Sequence, residues 1–572
     1  MNIFSSAGSD RPIALWQWVV GVSVALVRFV HLGFPDLQAW DEALYALRAQ
    51  SIVQFGVWID QTPYAPDGLY SSLHPPLQVW LTALVFHVFG SGEAQARFIS
   101  AVAGALTVPV IFALGRRMGG PIVGTIAVVL FGLNPFMVFF SRQGQFDSLL
   151  VFFLTLSVYW CIRMQTDHTV RSASIAGLAL GAALMTKLFV AGALPLALVV
   201  DRLIRRQPFD RSFRHSLLTM LSVAGAVAFP WHGFMTIVHG SGNPLFFFQQ
   251  SALWERTVTG IEGNVKPLGA LYYINQLIVL FPIGIWWMID RVRSGVQSAA
   301  AGVLTSWFAV YFTVFSLMQT KLAVYVLPFL VPCALLAADG LWNRASGPFK
   351  RTSWRFLLSA TSLSVVWSAS QDWRNALREI IAGIGSFDAV PADAWHSFFW
   401  LLALSVIAVS AALFLASFDR FRVHIVFFFG LALFFQTLFN VFIRDKTQFK
   451  DGATELGEFV RDNRVQNIVV AGKRRNPQLS YYLGGADLGW RDDLHVRRIT
   501  PPRDTSAYTQ WIASEMAGEQ KTSLLIIEKD MLIRYRTVSP ETFIPTGFRP
   551  VFESRRYAAY ITDTNRYAAS AW

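Results

Sequence analysis

Apolar runs separated by short arginine-bearing stretches recur from residue 13 to residue 443. A helix needs about 20 apolar residues to cross a bilayer core. The runs at 13–33, 96–115, 121–140, 147–163, 173–187, 188–204, 216–238, 268–289, 299–318, 322–342, 354–370, 397–416 and 423–443 read as spans, thirteen in all. A further run, 76–90, is short and opens on Pro75-Pro76, so its length alone does not place it.

Charge decides that run. If 76–90 does not cross, Arg116-Arg117, Arg163 and Arg171, Arg202 to Arg214, Arg291 and Arg293, Arg344 to Arg355, and Arg420 and Arg422 all fall on one side. That is the asymmetry expected of cytoplasmic loops. The opposite side then holds 34–95, 141–146, 239–267, 319–321, 371–396 and the C-terminal tail. If 76–90 crossed, every later basic loop would be outside. The run is therefore expected to be a helix lying in the membrane interface. The first run, Ile13 to Leu32, is too long for a signal-peptide core and lacks a small-residue cleavage site, so it is expected to stay as the first span.

Near Arg444 the pattern changes to polar and mixed charge. "NIVVAG" (467–472) and "SLLIIEK" (523–529) read as buried strands, with a helical stretch at Thr454 to Arg464. The expected architecture is an all-α polytopic membrane domain, residues 1–444, with large outer loops at 34–95 and 239–267. A small α/β domain, 445–572, follows on the outer side.

Composition agrees. Hydrophobic residues are 54% and charged residues 15%, which excludes a soluble multi-domain enzyme and a disordered chain. The 48 Phe and 20 Trp fit aromatic belts at bilayer interfaces. The net charge of +12 would point to nucleic acid in a soluble chain; here the arginines sit in short loops, so no nucleic-acid partner is expected. Cys161 and Cys333 each lie in an apolar run and offer neither a disulfide framework nor metal spacing. Walker and Rossmann fingerprints are absent from the sequence, which argues against ATP-driven transport.

The polar groups that need a reason gather on the outer side. Asp41 and Glu42 stand at the lip of the first span, before a helix-like segment; they fit either a helix N-terminus or a functional acid pair. His74 precedes the double proline, as part of a turn or as a cation at the membrane surface. Asp147 and Arg142 flank "SRQGQFD" at the mouth of two further spans; a capped helix with a salt bridge and a glycosyl-transfer or metal site both fit. Lys187 and Lys321 break the positive-inside trend, either by snorkelling or as contacts to a lipid phosphate. In the 239–267 loop stand Glu255, Arg256 and Glu262. His232 and His239 are seven apart, which suits one helix face rather than a metal pair.

In order, the "DE" at 41–42, "HPPL", "GEAQARFISAVAGAL", "SRQGQFDS", "TKLFVAGALP", the "FPWH…FFF…WER…EGN…YYI" region and "TKLAVYVLP" resemble the bacterial aminoarabinose transferase and protein O-mannosyltransferase families, integral-membrane glycosyltransferases of the GT-C class. The resemblance covers residues 13 to about 345, and the aminoarabinose branch is nearer in architecture. It implies a polyprenyl-phosphate sugar donor, reaction at the periplasmic face of a bacterial inner membrane, and a lipid, glycan or protein acceptor. Asp41 would be the principal catalytic carboxylate and Asp147 a second acid in the same cavity. Lys187, Lys321, Tyr325 and Arg256 would line the donor phosphate or acceptor region.

This chain departs from the aminoarabinose pattern. "DEALY" and "SLHPPL" stand where "DETRY" and "EKPPL" are usual, so Leu44 replaces an arginine, Leu73 a glutamate and His74 a lysine. The loop histidine expected before "ER" is absent, with Ala252 and Leu253 nearby. Sugar, acceptor and metal are left open; no cofactor is fixed, and a divalent cation remains a candidate.

From the residues themselves, Asp41 suits a general base toward a hydroxyl acceptor, or orients the acceptor or holds a cation where the acceptor is a phosphate, with Glu42 beside it. Arg142, Lys187, His74 and Lys321 suit the charge of a leaving phosphate. The expected function is a glycosyltransferase that moves a sugar from polyprenyl phosphate to lipid A or another glycolipid. A mannosyltransferase-type protein O-glycosyltransferase is the alternative. A lipid-linked sugar transporter would need charges deep within the spans, where this chain has few. A sensor built on the 445–572 domain would leave the outer cluster unexplained.

Overall fold

The computed structural model describes residues 12–34, 36–38, 41–65, 68–167, 169–250, 257–258, 260, 269–295, 298–346, 357, 360–361, 364, 452–472, 476–499, 508–516, 523–529, 544, 548–554 and 556–562. The expected spans at 397–416 and 423–443, nearly all of 354–370, and Arg256 lie outside the described residues.

Helix α1 (Leu15–Leu26) is followed by α2 (Asp41–Phe55) and α3 (Leu77–Phe89) in the first outer loop. Then come α4 (Glu93–Gly119), α5 (Pro121–Gly132), α6 (Pro135–Ser141), α7 (Asp147–Asp167), α8 (Val170–Leu184), α9 (Leu194–Ile204) and α10 (Arg211–Gly240). Helices α11 (Gly269–Leu280), α12 (Ile285–Arg293), α13 (Ala299–Leu317) and α14 (Leu327–Ser346) complete the described helical part. Five helices among the described residues are long and apolar enough to cross a membrane: α4, α7, α10, α13, and α14 with the 3₁₀ turn before it. Two bent pairs, α5 with α6 at 69° and α11 with α12 at 115°, raise that to seven if each is one span. The 188–204 run is broken into Leu188–Gly192 and α9. The α3 helix has 13 residues, so it is about 20 Å long against a core of about 30 Å.

The bend between α5 and α6 has a local cause. Pro135 cannot continue a helix, and Asn134 restarts one by accepting the N–H groups of Phe136 and Met137. Helices α4 and α5 approach closely because glycines face each other: a Cβ on Gly115 would lie 2.7 Å from the Gly124 Cα.

Stretches far apart in sequence are tied to one another by hydrogen bonds. Glu42 accepts the Gly144 amide, Leu77 N–H donates to the Met185 carbonyl at 3.1 Å, and Gln319 N–H donates to the Thr257 carbonyl at 3.3 Å. Those contacts link 34–95 to 141–146 and to the end of the 173–187 run, and 319–321 to 239–267, all stretches expected on the outer side. The basic loops meet one another elsewhere: Arg205 binds Asp201 and Gln165, Arg344 pairs with Asp290, and Arg117 lies over the Tyr159 ring.

Residues 452–562 carry a five-stranded sheet with order β2-β1-β3-β5-β4. Strands β1 (Asn467–Ala471), β2 (His495–Ile499) and β3 (Leu524–Glu528) run parallel, while β4 (Phe548–Glu553) and β5 (Tyr557–Thr562) are antiparallel. Helix α15 (Ala453–Asp462) precedes β1, α16 (Pro477–Tyr482) links β1 to β2, and α17 (Tyr508–Met516) links β2 to β3. The two strands expected from continuous apolar runs are β1 and β3. Every residue of β3 is buried, as are the last four of β1, which suits central parallel strands. Strands β2 and β4 are edges with polar alternation, and with β5 they bring the sheet among the described residues to five strands.

Candidate active site

Asp41 and Glu42 occupy the first turn of α2, where the helix dipole favours carboxylates. Asp41 is exposed. Glu42 is wholly buried and committed: Oε1 takes Arg97 Nε at 2.8 Å and the Gly144 N–H at 2.7 Å, and Oε2 takes Arg97 Nη2 at 3.0 Å and the Gln38 N–H at 2.7 Å. Arg97 also donates to the carbonyls of Leu32 and Asp36. A carboxylate with four donors and a bidentate partner is a fixed strut. It ties the start of α2 to the chain between α6 and α7.

That chain leads to Asp147, the first residue of α7 and 6% exposed. Lys187 reaches Asp147 Oδ1 at 3.1 Å, and its ammonium stands over the rings of Phe146 at 4.7 Å and Tyr325 at 5.5 Å. The structure thus brings Asp147, Lys187 and Tyr325 together from three distant stretches. Two aromatic faces and one carboxylate hold the ammonium with little water, where both kinds of attraction are stronger. Tyr325 is buried and stacks on Phe315 at 4.9 Å.

His74 joins the same wall. Its ring lies 6.0 Å from Phe146, 6.0 Å from Tyr70 and 5.9 Å from Tyr45, and Nδ1 is 3.4 Å from the Tyr45 hydroxyl. Behind it Arg48, 1% exposed, donates from Nη2 to the His74 carbonyl at 3.2 Å and from Nε to Gln61 Oε1 at 2.7 Å. Burial pushes the Arg48 guanidinium down to about 10, with Tyr45 acting weakly in the opposite sense.

Arg142 and Lys321 are placed differently. Arg142 is buried at the end of α6, with Nη2 3.5 Å from the His31 carbonyl. Lys321 is buried too, and donates to the Phe315 and Ser316 carbonyls at 3.2 Å, so it caps the C-terminus of α13. Its link to the Lys187 cluster runs through the stacked Phe315 and Tyr325 rings. His239 pairs with Asp60 at 2.9 Å, and His232 Nδ1 meets the Ala228 carbonyl at 2.8 Å. Among the described residues, no group of three or more His, Cys, Asp or Glu side chains is placed to hold a metal ion.

Sequence reading missed Arg48, Arg97, Tyr45 and Phe146. The two arginines carried a usable signal: each is a cation in or just beside the 34–95 stretch expected on the outer side, against the trend that singled out Lys187 and Lys321. The aromatic pair carried none in a chain so rich in rings.

Residues 73–233 match the family described as dolichyl-phosphate-mannose-protein mannosyltransferase. The chain is 26% identical over 314 residues to undecaprenyl phosphate-alpha-4-amino-4-deoxy-L-arabinose arabinosyl transferase 2 of Proteus mirabilis, covering 52% of this chain and 54% of that relative. A transferase of the same description from Pseudomonas savastanoi pv. phaseolicola is 28% identical over 333 residues, covering 55% and 59%. The chain spans about half the length of the curated relatives it matches. The crystal structure of ArnT from Cupriavidus metallidurans bound to undecaprenyl phosphate has the same fold, with a TM-score of 0.66 at 19% identity, over 98% of this chain and 100% of that one. The resemblance read from the motifs is borne out by these matches, and the mostly helical fold with a small C-terminal sheet is like that of ArnT.

Proposed function

We propose that this protein is a glycosyltransferase that moves a sugar from a polyprenyl-phosphate donor to a cell-envelope acceptor, lipid A or another glycolipid, at the periplasmic face of a bacterial inner membrane. One observation supports this most: loops from separate parts of the chain converge so that the Asp147–Lys187 pair lies at 3.1 Å within an aromatic wall made by Phe146, Tyr325 and His74. In this reading residues 1–444 form thirteen spans with the basic loops cytoplasmic. Helix α3 lies in the interface, and residues 445–572 are a periplasmic domain.

A sugar on a lipid phosphate is already activated. The bond from the sugar's anomeric carbon to phosphate oxygen breaks, and its electron pair stays on the phosphate. A bond from an acceptor oxygen to that carbon forms, and the acceptor proton passes to the Asp41 carboxylate as general base, a contribution of about 10²–10⁴-fold. Lys187, His74 and Arg48 face the leaving phosphate; one preorganised donor of this kind contributes roughly 3–4 kcal/mol. Asp147 holds Lys187 in place, Tyr325 flanks it, and Lys321 supports Tyr325 from below. Arg142 would add positive charge for the leaving phosphate, and Arg256, outside the described residues, would line the donor phosphate or acceptor region. Glu42 acts by holding the loop rather than in the chemistry.

The test is sugar transfer by the purified protein in lipid, with a panel of polyprenyl-phosphate sugars and Asp41→Asn alongside. Mass spectrometry would follow release of polyprenyl phosphate and the mass gained by the acceptor. Transfer by wild type that is lost in the variant supports the reading. Absence of transfer across the panel, with lipid binding intact in both, returns the protein to the transporter class. The match of residues 73–233 to protein mannosyltransferases favours one second reading, a protein acceptor, which a peptide in the same panel decides.

A further inference from the structure

The C-terminal sheet and the first outer loop meet through polar bonds concentrated on two residues. The Asp36 carboxylate accepts the N–H groups of Gly452 at 2.8 Å and Ala453 at 2.9 Å, and the Thr454 hydroxyl, so it caps α15 from a remote part of the chain. Leu37 is wholly buried, and both of its peptide groups are gripped by α16. Its N–H donates to the Tyr482 hydroxyl at 2.9 Å, and its carbonyl accepts Gln478 Nε2 at 2.7 Å.

Neither gripping residue is loose. Tyr482 donates onward to Glu93 Oε1 at 3.0 Å, at the start of α4. Gln478 Oε1 accepts the Tyr557 hydroxyl at 2.8 Å, and that hydroxyl accepts from Asn476, which also donates to the buried Glu528 at the end of β3. A bonded line therefore runs from the sheet to Leu37. The next residue continues it: the Gln38 N–H donates to Glu42. At the far end of α2, Gln54 donates to the Trp490 carbonyl at 3.2 Å, and the Phe55 and Trp490 rings meet edge to face. Tyr481 and Trp490 share a buried cluster with Leu37, Ala43, Ala46 and Leu47.

A residue whose N–H and carbonyl are both held cannot turn without losing hydrogen bonds, and the buried carbonyl would be left with a costly desolvation. Leu37 is four residues before Asp41. We propose that Gln478 and Tyr482 are positioning residues of the transferase site, through which the C-terminal domain fixes the first turn of α2 and with it the Asp41 carboxylate. The inference rests on the reading of Asp41 as the general base. It makes the C-terminal domain part of the catalytic apparatus, although no side chain of that domain is assigned to touch the reacting atoms.

The experiment compares Tyr482→Phe, Tyr482→Phe with Gln478→Leu, and Arg497→Ala, an exposed site on the same domain, with full-length wild type in lipid. Rates are resolved into kcat and donor KM, and amide hydrogen exchange is followed over residues 36–48. A small misplacement of a reacting group costs up to about a hundredfold. The single variant is expected to lower kcat about tenfold and the double variant more, with donor KM within about twofold and Arg497→Ala unchanged. Exchange should quicken at Leu37 and through the first turn of α2. Full kcat in the double variant, with Leu37 exchange quickened, overturns the proposal. So does exchange that quickens at Leu37 alone. If wild type transfers nothing, or Asp41→Asn is fully active, the parent reading fails by itself, and the exchange pattern in α2 still decides whether the C-terminal domain sets that helix.

Discussion

The buried carboxylate of Glu42 holds the Gly144 amide at 2.7 Å, and through it the loop that ends at Asp147 is fastened to the helix that begins at Asp41. The closeness requires glycine. A Cβ at 144 would stand 2.9 Å from the Ala96 carbonyl oxygen and 3.3 Å from Glu42 Cγ. Gly144→Ala must therefore move the loop or stretch the bond, at a cost of about 1–3 kcal/mol. Glu42→Gln leaves the Arg97 charge buried with a neutral partner and should cost about 3–5 kcal/mol. Thermal unfolding in detergent micelles measures both; a Gly144→Ala protein that melts with wild type contradicts the strut.

The helical part was legible because its period and its charge asymmetry are both long-range signals. Ten apolar runs between residues 13 and 342 correspond to helices, paired helices or broken helices. The 188–204 break was hidden, because Gly192 and Pro195 lie inside a stretch, 188–200, that is apolar throughout. Strands β1 and β3 showed as unbroken apolar stretches, whereas β2 reads "HVRRI" and β4 contains Pro550, so edge strands look like loops. At the site, Asp147 with Lys187 was legible from their outer placement. The role of Glu42 was not, since a buried strut and an exposed acid look alike beside Asp41. Lys321 was singled out for the right anomaly, but its ammonium serves the end of α13.

Asp147 and Lys187 should be energetically coupled. Their side chains are only 9% and 20% exposed, and the two rings over the ammonium limit where it can go. Each single change, Asp147→Asn and Lys187→Ala, is expected to lower kcat/KM for the polyprenyl-phosphate donor about a hundredfold or more. The double variant should lose less than the sum, with a coupling of about 0.5–3 kcal/mol. Strict additivity in this cycle would mean that the pair does not act as a unit.

Arg48 carries a cost that a donor phosphate could relieve. Its Nη1 has no hydrogen-bond partner among the described residues, while Nε and Nη2 are engaged. A buried donor left unsatisfied costs about 1–3 kcal/mol, and a phosphate oxygen would recover it. Arg48→Lys keeps the charge but loses the fork that spans Gln61 and His74. The expected result is polyprenyl-phosphate binding weakened about tenfold, with a melting temperature within a few degrees of wild type. Unchanged affinity, measured by titration in nanodiscs, would confine Arg48 to holding the loop before Pro75.

Docking of the C-terminal domain should depend on pH through Asp36. Burial raises its carboxyl above the ordinary range, against the hydrogen bonds from Thr454, Ala453 and Gly452 that lower it, and Glu455 adds to the rise. The docked form therefore holds the Asp36 proton more tightly than the undocked form, whose value is near the ordinary ~3.9. The contribution to docking is fully present below that ordinary value. It is lost as pH climbs through the raised one and is constant above it. Hydrogen exchange at the Leu37 and Ala453 amides, corrected for intrinsic rates between about pH 4 and about pH 7, should show protection falling with pH. Asp36→Asn removes the ionisation and should flatten the profile while keeping the amide caps on α15. Protection that instead rises with pH in wild type would mean that the three hydrogen bonds to the carboxylate outweigh its burial, and that the charged form is the one that latches the domain.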